Sequence, residues 1–162
     1  RALGGKAYMW KVGHAFAKIK LREIDGICGG ELAGHYYFKD FYFCDSGLLT
    51  SLIMLNVLKR IKQEGKKISD LIEKIDKYSS SGEINFEIEN KQQQMEKVKN
   101  FYLDKKEPSA FYDFDGYRIE FEEWWFNIRP SNTEPYLRLV VEAENRELME
   151  EKLEEIKEII KS

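Results

Sequence analysis

Two apolar runs, residues 124–128 and 137–141, are separated by a short polar segment that holds Pro130 and Pro135. Runs of this length, rich in aromatic and branched side chains, are typical of strands. Because proline fixes φ, the two prolines favour a tight connection with few accessible conformations. The pattern predicts two strands joined by a loop, and this pair constrains what the second half of the chain can fold into.

The predicted loop has an arginine at each end, Arg129 and Arg138, and three small polar residues between them, Ser131, Asn132 and Thr133. A guanidinium presents a planar fork of donors that matches two phosphate oxygens at once. Hydroxyl, amide and backbone N–H groups of a tight turn add further donors. These residues alone leave two interpretations open, a phosphate-binding loop and a polar hairpin tip whose arginines are solvated.

The rest of the second half alternates strands with two helices. Ile84, Phe86 and Ile88 alternate with polar residues, which indicates a half-buried strand. A helix is predicted over 91–103 with Met95, Val98, Phe101 and Tyr102 inward. Strands are predicted over 110–114 and 117–121 around a type I′ turn at Asp115-Gly116, and over 124–129 and 136–142. A last helix, capped by Asn145, ends at residue 160. This order predicts an antiparallel sheet of about five strands with two helices on one face, an α+β fold. Most aromatic side chains are expected in its core, but Trp125 is expected on the side of Arg129.

The first half has an α/β pattern. We predict a buried strand over residues 6–10, a helix over 15–24, a strand over 27–30 and a helix over 47–63 that Asp45-Ser46 caps and whose leucines form one stripe. This order predicts at least one parallel crossover, with further strands of the sheet supplied by a segment before Arg1. A short helix over 69–75 and a serine-rich linker over 79–82 follow. We therefore expect one domain over residues 1–80 and a second over 81–162.

Composition narrows the class of partner. The chain has 26 basic and 29 acidic residues and a net charge of −3, which argues against a general nucleic-acid binder. Its longest apolar stretches are too short or too interrupted to span a membrane. Two cysteines make no disulfide framework, and the histidines and cysteines lack zinc-binding spacing. We expect a cytoplasmic protein with no nucleic-acid and no membrane partner.

A second candidate site follows the strand predicted at 27–30. Glu31 and His35 are four residues apart in a glycine-rich segment, so both can point into one cleft. A carboxylate accepts hydrogen bonds from sugar hydroxyls, and an imidazole near its free pKa binds phosphate or moves a proton. The residues alone leave a binding site and an ordinary turn open.

Both segments also resemble a known family. Arg-Pro-Ser-Asn-Thr-Glu-Pro at 129–135, with an arginine at 138, resembles the phosphate-binding loop of the α-D-phosphohexomutases, which comprise phosphomannomutases, phosphoglucomutases and phosphoglucosamine mutases. Gly-Glu-Leu-Ala-Gly-His at 30–35 is similar to the family's sugar-binding loop, usually Gly-Glu-x-Ser-Gly-His. The segments at 10–14, 37–40 and 45–47 fit the bacterial phosphomannomutase/phosphoglucomutase branch. The resemblance covers nearly the whole chain and implies the later part of the third mutase domain and the whole fourth, which has a TATA-binding-protein-like fold.

The resemblance implies a role for each matched residue. Those implied to bind the non-reacting phosphate are Arg129, Ser131, Asn132, Thr133 and Arg138. Glu31 is implied to grip sugar hydroxyls, and His35 to contact substrate as a candidate acid/base catalyst, with His14 and Lys11 nearby. Ala33 stands where the family often has serine, so one hydroxyl contact is lost and the sugar preference is left open.

The implied reaction interconverts hexose 1-phosphate and 6-phosphate through a phosphoserine enzyme and a bisphosphate intermediate. The family places the nucleophile and Mg²⁺ in Ser-His-Asn-Pro and Asp-Gly-Asp-x-Asp motifs, and this sequence contains neither. We therefore expect a C-terminal part that binds hexose phosphate without turnover, with missing N-terminal domains as its partner and hexose 1,6-bisphosphate as activator. Two alternatives are a stand-alone phosphosugar-binding module and, from topology alone, a nucleic-acid or protein-interaction domain.

Overall fold

The computed structural model describes residues 4–131 and 134–162. The chain divides into two compact units, Arg1–Ile75 and Asp76–Ser162. The first mixes helices with a small sheet, and the second is built on a larger antiparallel sheet.

The first unit contains three helices and three short strands. They are α1 (His14–Glu23), β1 (Cys28–Gly30), β2 (Tyr36–Phe38), β3 (Cys44–Asp45), α2 (Gly47–Gln63) and α3 (Ile68–Ile75), with a 3₁₀ turn over Lys39–Phe41. The strands form one antiparallel sheet in the order β1-β2-β3. In its register Gly29 faces Tyr37, and Tyr37 in turn faces Asp45.

Two predictions for this unit are wrong. Residues 6–10 lie in irregular, largely exposed backbone, whereas we predicted a buried strand. A strand forms only beside a neighbour that takes up its N–H and C=O groups, and among the described residues none pairs with this segment. The predicted parallel crossover is also absent from the described part of the unit, because residues 6–10 form no strand and β1, β2 and β3 pair in antiparallel fashion.

Helix α2 begins as predicted, but its apolar stripe is not buried. The hydroxyl of Ser46 accepts a hydrogen bond from the N–H of Leu49 at 3.1 Å, which satisfies one free donor of the first turn. No residue of α2 is buried, and Leu48 is 75% exposed. Capping therefore fixes where this helix begins, while its leucine stripe faces outward.

The second unit contains six strands and two helices. They are β4 (Ser79–Ser80), β5 (Ile84–Glu87), α4 (Lys91–Lys105), β6 (Ala110–Tyr112), β7 (Tyr117–Glu120), β8 (Trp124–Pro130), β9 (Tyr136–Ala143) and α5 (Arg146–Lys161). The sheet is antiparallel with the order β4-β9-β8-β7-β6, and β5 also pairs with β9. This confirms the predicted α+β layout with one more strand than expected.

Alternation along the two central strands separates the sheet into a core face and a polar face. Side chains on the core face are fully buried, including Phe126, Ile128, Leu137, Leu139 and Val141. They pack under α4 and α5, whose buried residues are Met95, Val98, Tyr102, Met149, Leu153, Ile156 and Ile160. The intervening residues of β8 and β9 are half-buried on the opposite face. Trp125 lies on that face, as predicted, with the guanidinium carbon of Arg118 3.4 Å from its ring centre.

A charged network joins the two helices. The carboxylate of Glu155 on α5 accepts hydrogen bonds from Tyr102 at 2.8 Å and Lys105 at 2.9 Å, both on α4. Partial burial alone would raise the pKa of Glu155, but these bonds and one from Lys152 lower that pKa to about 2. The network thus orients α4 against α5 at the edge of an otherwise apolar contact.

Three details of the second unit differ from prediction. Ser79 and Ser80 pair with β9 as an edge strand, so the predicted linker is wrong there. Phe101 is 38% exposed and does not point inward. The predicted type I′ turn is also wrong: Tyr112 faces Arg118, which leaves a longer loop, and of the two turn residues only Gly116 has positive φ.

Gly116 provides a test of this packing. Its φ is +73°, and a Cβ there would lie 2.3 Å from the carbonyl oxygen of Ile128. Gly82 has a similar φ of +66° but open space around it. We expect Gly82→Ala to lower the free energy of unfolding by about 1–2 kcal/mol from backbone strain, and Gly116→Ala to cost a further 1–3 kcal/mol or so from the clash. Urea denaturation checks this, and equal losses in the two variants would contradict the packing at Gly116.

Candidate functional site

The polar segment between the apolar runs is the connection between β8 and β9. The strands pair up to Pro130 opposite Leu137, and Arg129 lies directly opposite Arg138. The N–H of Ser131 donates to the carbonyl of Tyr136 at 2.8 Å, which extends the pairing by one step. The strand register therefore places the two predicted phosphate-binding arginines side by side on the polar face.

Two carboxylates hold these arginines. Glu83, in the turn before β5, lies 3.4 Å from Arg129 Nη2 and 3.3 Å from Arg138 Nη1 through different oxygens. Glu134 lies 2.5 Å from Arg138 Nη2. The arginine side chains are only 18% and 22% exposed. Like charges opposite one another on a sheet repel, so the bridging carboxylate of Glu83 compensates for the facing guanidiniums.

One hydrogen-bond donor of Arg138 is left without a partner in the described part of the protein. Its Nε is buried and has no hydrogen-bond partner among the described residues. A buried donor left in this state costs roughly 1–3 kcal/mol. This donor belongs to one of the two facing guanidiniums, which therefore retains capacity to bind a further oxygen acceptor.

Of the other residues predicted for this loop, Ser131 alone lies in the described part. Its hydroxyl accepts a hydrogen bond from the N–H of Glu134 at 3.2 Å, so it shapes the loop while its own O–H remains able to donate. Asn132 and Thr133 lie outside the described residues.

The second candidate segment is the tip of the β1–β2 hairpin. The N–H of Glu31 donates to the carbonyl of His35 at 2.9 Å, and the N–H of Gly34 donates to the carbonyl of Glu31 at 3.0 Å. Gly34 adopts a φ of +87°, which other residues rarely reach. The turn thus brings Glu31 and His35 to facing positions at the base of the tip.

Glu31 is held at both carboxylate oxygens. One accepts a hydrogen bond from the hydroxyl of Tyr37, and the other from the N–H of Gly13 at 3.2 Å. Burial raises the pKa of Tyr37, and the adjacent Glu31 raises it further, so this hydroxyl stays protonated and donates. Gly13 is the N-cap of α1, and the carboxylate therefore caps this helix from 18 residues away. Each oxygen retains a lone pair for a ligand hydroxyl.

His35 forms a pair with Asp45 on β3. Its Nδ1 lies 2.6 Å from Oδ2 of Asp45, whose Oδ1 accepts from the N–H of Tyr36 at 3.0 Å. The hydrogen bond and the charge of Asp45 raise the pKa of His35 above its ordinary value of 6.5. With Nδ1 donating to the carboxylate, Nε2 is the nitrogen left to bind a ligand or transfer a proton. The half-exposed imidazole is accessible for either role.

The remaining predicted residues lie at the margin of this hairpin. Ala33 is exposed at the turn. His14 begins α1, directly after the Gly13 that binds Glu31. Lys11 is exposed, with its Nζ 5.9 Å from the ring centre of Phe16. Among the described residues, no hydrogen bond or ion pair joins His14 or Lys11 to Glu31 or His35.

Sequence reasoning missed the residues that position these groups. Asp45 was assigned to a helix cap, whereas Ser46 alone caps α2 and Asp45 holds His35. Tyr37 stood out only as part of a segment that fits the family branch, and Glu83 was not singled out. The family motif contains Glu134, but no feature of the sequence shows which arginine it meets. The contacts of Asp45 and Glu83 depend on which strands are neighbours, and the local pattern does not contain that information.

The described residues offer neither a metal site nor a membrane-spanning helix. Residues 4–131 and 134–162 contain no group of three or more histidine, cysteine, aspartate or glutamate side chains placed to hold a metal ion. In the same residues, no helix has the length and hydropathy needed to cross a bilayer.

Two family models match consecutive parts of the chain. Residues 1–78 match the phosphoglucomutase/phosphomannomutase alpha/beta/alpha domain III, and residues 83–159 match the phosphoglucomutase/phosphomannomutase C-terminal domain. Together they account for nearly all of the sequence.

Individual relatives agree with these models. The chain is 44% identical over 158 residues to a phosphomannomutase of Methanocaldococcus jannaschii, covering 97% of this chain and 33% of that protein. It is also 44% identical over 161 residues to a phosphomannomutase of Vibrio cholerae, covering 98% and 34%. A crystal structure of a phosphoglucomutase/phosphomannomutase family protein from Burkholderia thailandensis superposes with a TM-score of 0.79 at 28% identity, over 98% of this chain and 33% of that one. The chain thus spans about a third of the length of the proteins it matches.

The His35–Asp45 pair predicts a specific titration. Because Asp45 raises the pKa of His35, we expect its NMR midpoint to lie above 6.5 and to fall towards 6.5 in Asp45→Asn. Asp40→Asn removes the same charge without touching the imidazole and serves as control. The stability gained from the pair is fully present below the unfolded pKa and is lost as pH rises through the folded pKa of His35. An identical midpoint in the native chain and Asp45→Asn would contradict the pairing.

Proposed function

The chain belongs to the phosphoglucomutase/phosphomannomutase family, and on that premise we propose that it is the C-terminal, substrate-binding part of a phosphohexomutase. The enzyme would interconvert the 1- and 6-phosphates of mannose or glucose through a phosphoserine and a bisphosphate intermediate. The observation that carries the proposal is the convergence of Arg129 and Arg138 on one oxyanion, the carboxylate of Glu83.

In the second unit, the two arginines would bind the phosphate that is not reacting. A phosphate dianion offers three oxygens, which suits two adjacent guanidinium forks and the free O–H of Ser131. Both arginines are largely shielded from water, and charge-assisted hydrogen bonds are stronger in such surroundings. A phosphate held here fixes the far end of the substrate and thereby positions the reacting end. Asn132 and Thr133 are proposed to contribute through the family resemblance.

In the first unit, Glu31 would recognise the sugar. Its carboxylate is fixed by Tyr37 and Gly13, so little side-chain entropy remains to be lost when sugar hydroxyls bind. Hydroxyl recognition of this kind does not depend on which end of the hexose carries the reacting phosphate. We propose His14 and Lys11 as weaker contributors because they flank Gly13 in sequence. Ala33 supplies no hydroxyl at the turn.

His35 is proposed as the acid/base residue. Asp45 keeps the imidazole oriented and its pKa raised, so the form with a proton on Nε2 persists to higher pH than in a free imidazole. Protonated, Nε2 donates to a phosphate or sugar oxygen; neutral, it accepts a proton from a sugar hydroxyl. A group poised between these forms can serve both directions of a reversible transfer.

The phosphoryl transfer itself would need groups outside this chain. The sequence contains no Ser-His pair, because glycine precedes both histidines, and no aspartate triad follows either Asp-Gly pair. We therefore propose that Mg²⁺ and the phosphoserine belong to the preceding mutase domains, with hexose 1,6-bisphosphate as intermediate. The protein would be cytoplasmic. This chain alone would bind substrate without turning it over.

Replacing Arg129 tests the phosphate assignment. We expect Arg129→Ala to weaken inorganic phosphate binding by about 2 kcal/mol, since it removes a charge-assisted contact and leaves Glu83 less compensated. Arg146→Ala removes the same charge from an 82% exposed side chain on α5 and should change nothing. An NMR titration monitoring the β8–β9 connection measures both. Unchanged affinity in Arg129→Ala would defeat the assignment.

Replacing His35 tests the division of labour between the two segments. We expect His35→Ala to weaken binding of mannose 1-phosphate at least several-fold and to spare inorganic phosphate, because free phosphate lacks the sugar. Leu32→Ala in the same turn alters a 95% exposed side chain and should leave both affinities intact. Equal losses for both ligands in His35→Ala would count against separate roles.

A further inference from the structure

The carboxylate of Glu83 competes with a bound phosphate for the two arginines of the proposed site. It contacts both guanidiniums that are proposed to bind phosphate, each through its own oxygen. Together with Glu134 it brings the charge of the four-residue cluster to zero. Within these four residues a phosphate dianion meets no net positive charge unless a carboxylate moves away, and beside them the ammonium of Lys91 donates to the carbonyl of Glu134 at 3.3 Å.

The backbone around Glu83 keeps its carboxylate close to the arginines. Two residues before it, the N–H of Ser81 donates to the carbonyl of Val141 and the Ser81 hydroxyl accepts from the N–H of Val141, both at 2.9 Å. One residue after it, Ile84 pairs with Leu139. Glu83 is therefore attached to β9 on both sides. A carboxylate tethered in this way acts at a high effective concentration.

The contacts that Glu83 makes are nevertheless weak in geometry. Its oxygens lie 3.4 and 3.3 Å from the guanidinium nitrogens, beyond the 2.7–2.9 Å or so of strong charge-assisted hydrogen bonds. Its side chain is 28% exposed and has water on one side. A carboxylate of this kind stays bound to the arginines mainly because it is tethered beside them. An anion that forms shorter hydrogen bonds can displace it.

The geometry points to Glu83 as a specificity-determining residue, a tethered anion that a phosphate must displace from Arg129 and Arg138. This inference rests on the proposed function, because it takes the two arginines as the phosphate site. A monoanionic carboxylate gains little by exchanging with Glu83, which has the same chemistry. A phosphomonoester dianion brings more charge and one more oxygen, and so gains from the exchange. Glu83 thus selects phosphates over carboxylates of similar size.

The test compares the charge-neutral variant Glu83→Gln with the native chain. If Glu83 occupies the arginines about nine-tenths of the time, the apparent dissociation constant for phosphate is about tenfold weaker than that of the open site. We therefore expect Glu83→Gln to bind inorganic phosphate about tenfold more tightly, measured by NMR titration at fixed pH and ionic strength. Acetate, inert towards the native chain, should compete with phosphate in the variant.

Two further variants sharpen the comparison. Glu87→Gln removes the same charge at the end of β5, four residues along the chain from Glu83, at a residue with no ion pair among the described residues, and should bind phosphate like the native chain. Glu134→Gln should tighten phosphate binding less than Glu83→Gln, because the carboxylate of Glu134 pairs with one of the two arginines, Arg138, whereas Glu83 contacts both. Amide spectra of all variants verify the fold.

The outcomes separate this inference from the proposed function. Unchanged or weaker phosphate binding in Glu83→Gln, with Arg129 still required, would overturn the inference and leave the phosphate site intact. A weaker affinity would make Glu83 a residue that merely holds the arginines in position. No phosphate-induced shift at the β8–β9 connection in either the native chain or Glu83→Gln would overturn the phosphate site and this inference together.

Discussion

The antiparallel pairing of β8 with β9 is the constraint on which the second unit depends. One register places Ile128 opposite Leu139 in the core and Arg129 opposite Arg138 on the polar face. A slip of one residue would exchange the two faces, exposing the apolar set and burying the charges. The burial of the core face under α4 and α5 therefore also enforces the juxtaposition of the two arginines. Cohesion of the unit and the proposed recognition of an anion therefore depend on the same hydrogen-bond ladder.

In the first unit, two carboxylates link separate segments through hydrogen bonds. Glu31 links the hairpin tip to the start of α1 and to Tyr37, and Asp45 links His35 to the backbone of β2. Each acid makes two contacts, so its orientation is fixed before any ligand arrives. Such pre-organisation reduces the entropy lost on binding. The groups proposed to touch substrate are thus supported by residues that do not need to touch it.

How far the sequence predicts this structure depends on the range of the information needed. Caps, periodic helices and alternating strands are local, and the Ser46 cap, α5 and the β8–β9 pair were predictable from a few neighbouring residues. The edge strand at Ser79 and the close packing of Gly116 against Ile128 depend on partners further along the chain. The motif identified the arginines and His35, but Glu83 and Asp45 became visible only once strand neighbours were known. Candidate site residues were therefore easier to identify from the sequence than the contacts that hold them in place.

The separation of the sheet into two faces has an evolutionary consequence. Side chains on the polar face, such as Arg118, Trp125 and Glu142, share no packing with the residues under the helices. Substitutions there can accumulate with little effect on folding, whereas each change on the opposite face must preserve volume. A lineage can therefore alter which anions or partners this surface accepts through single substitutions, without first acquiring a compensating mutation. Apart from Arg129 and Arg138, divergence among relatives should fall mainly on the polar face, while the core face keeps a nearly constant set of apolar residues.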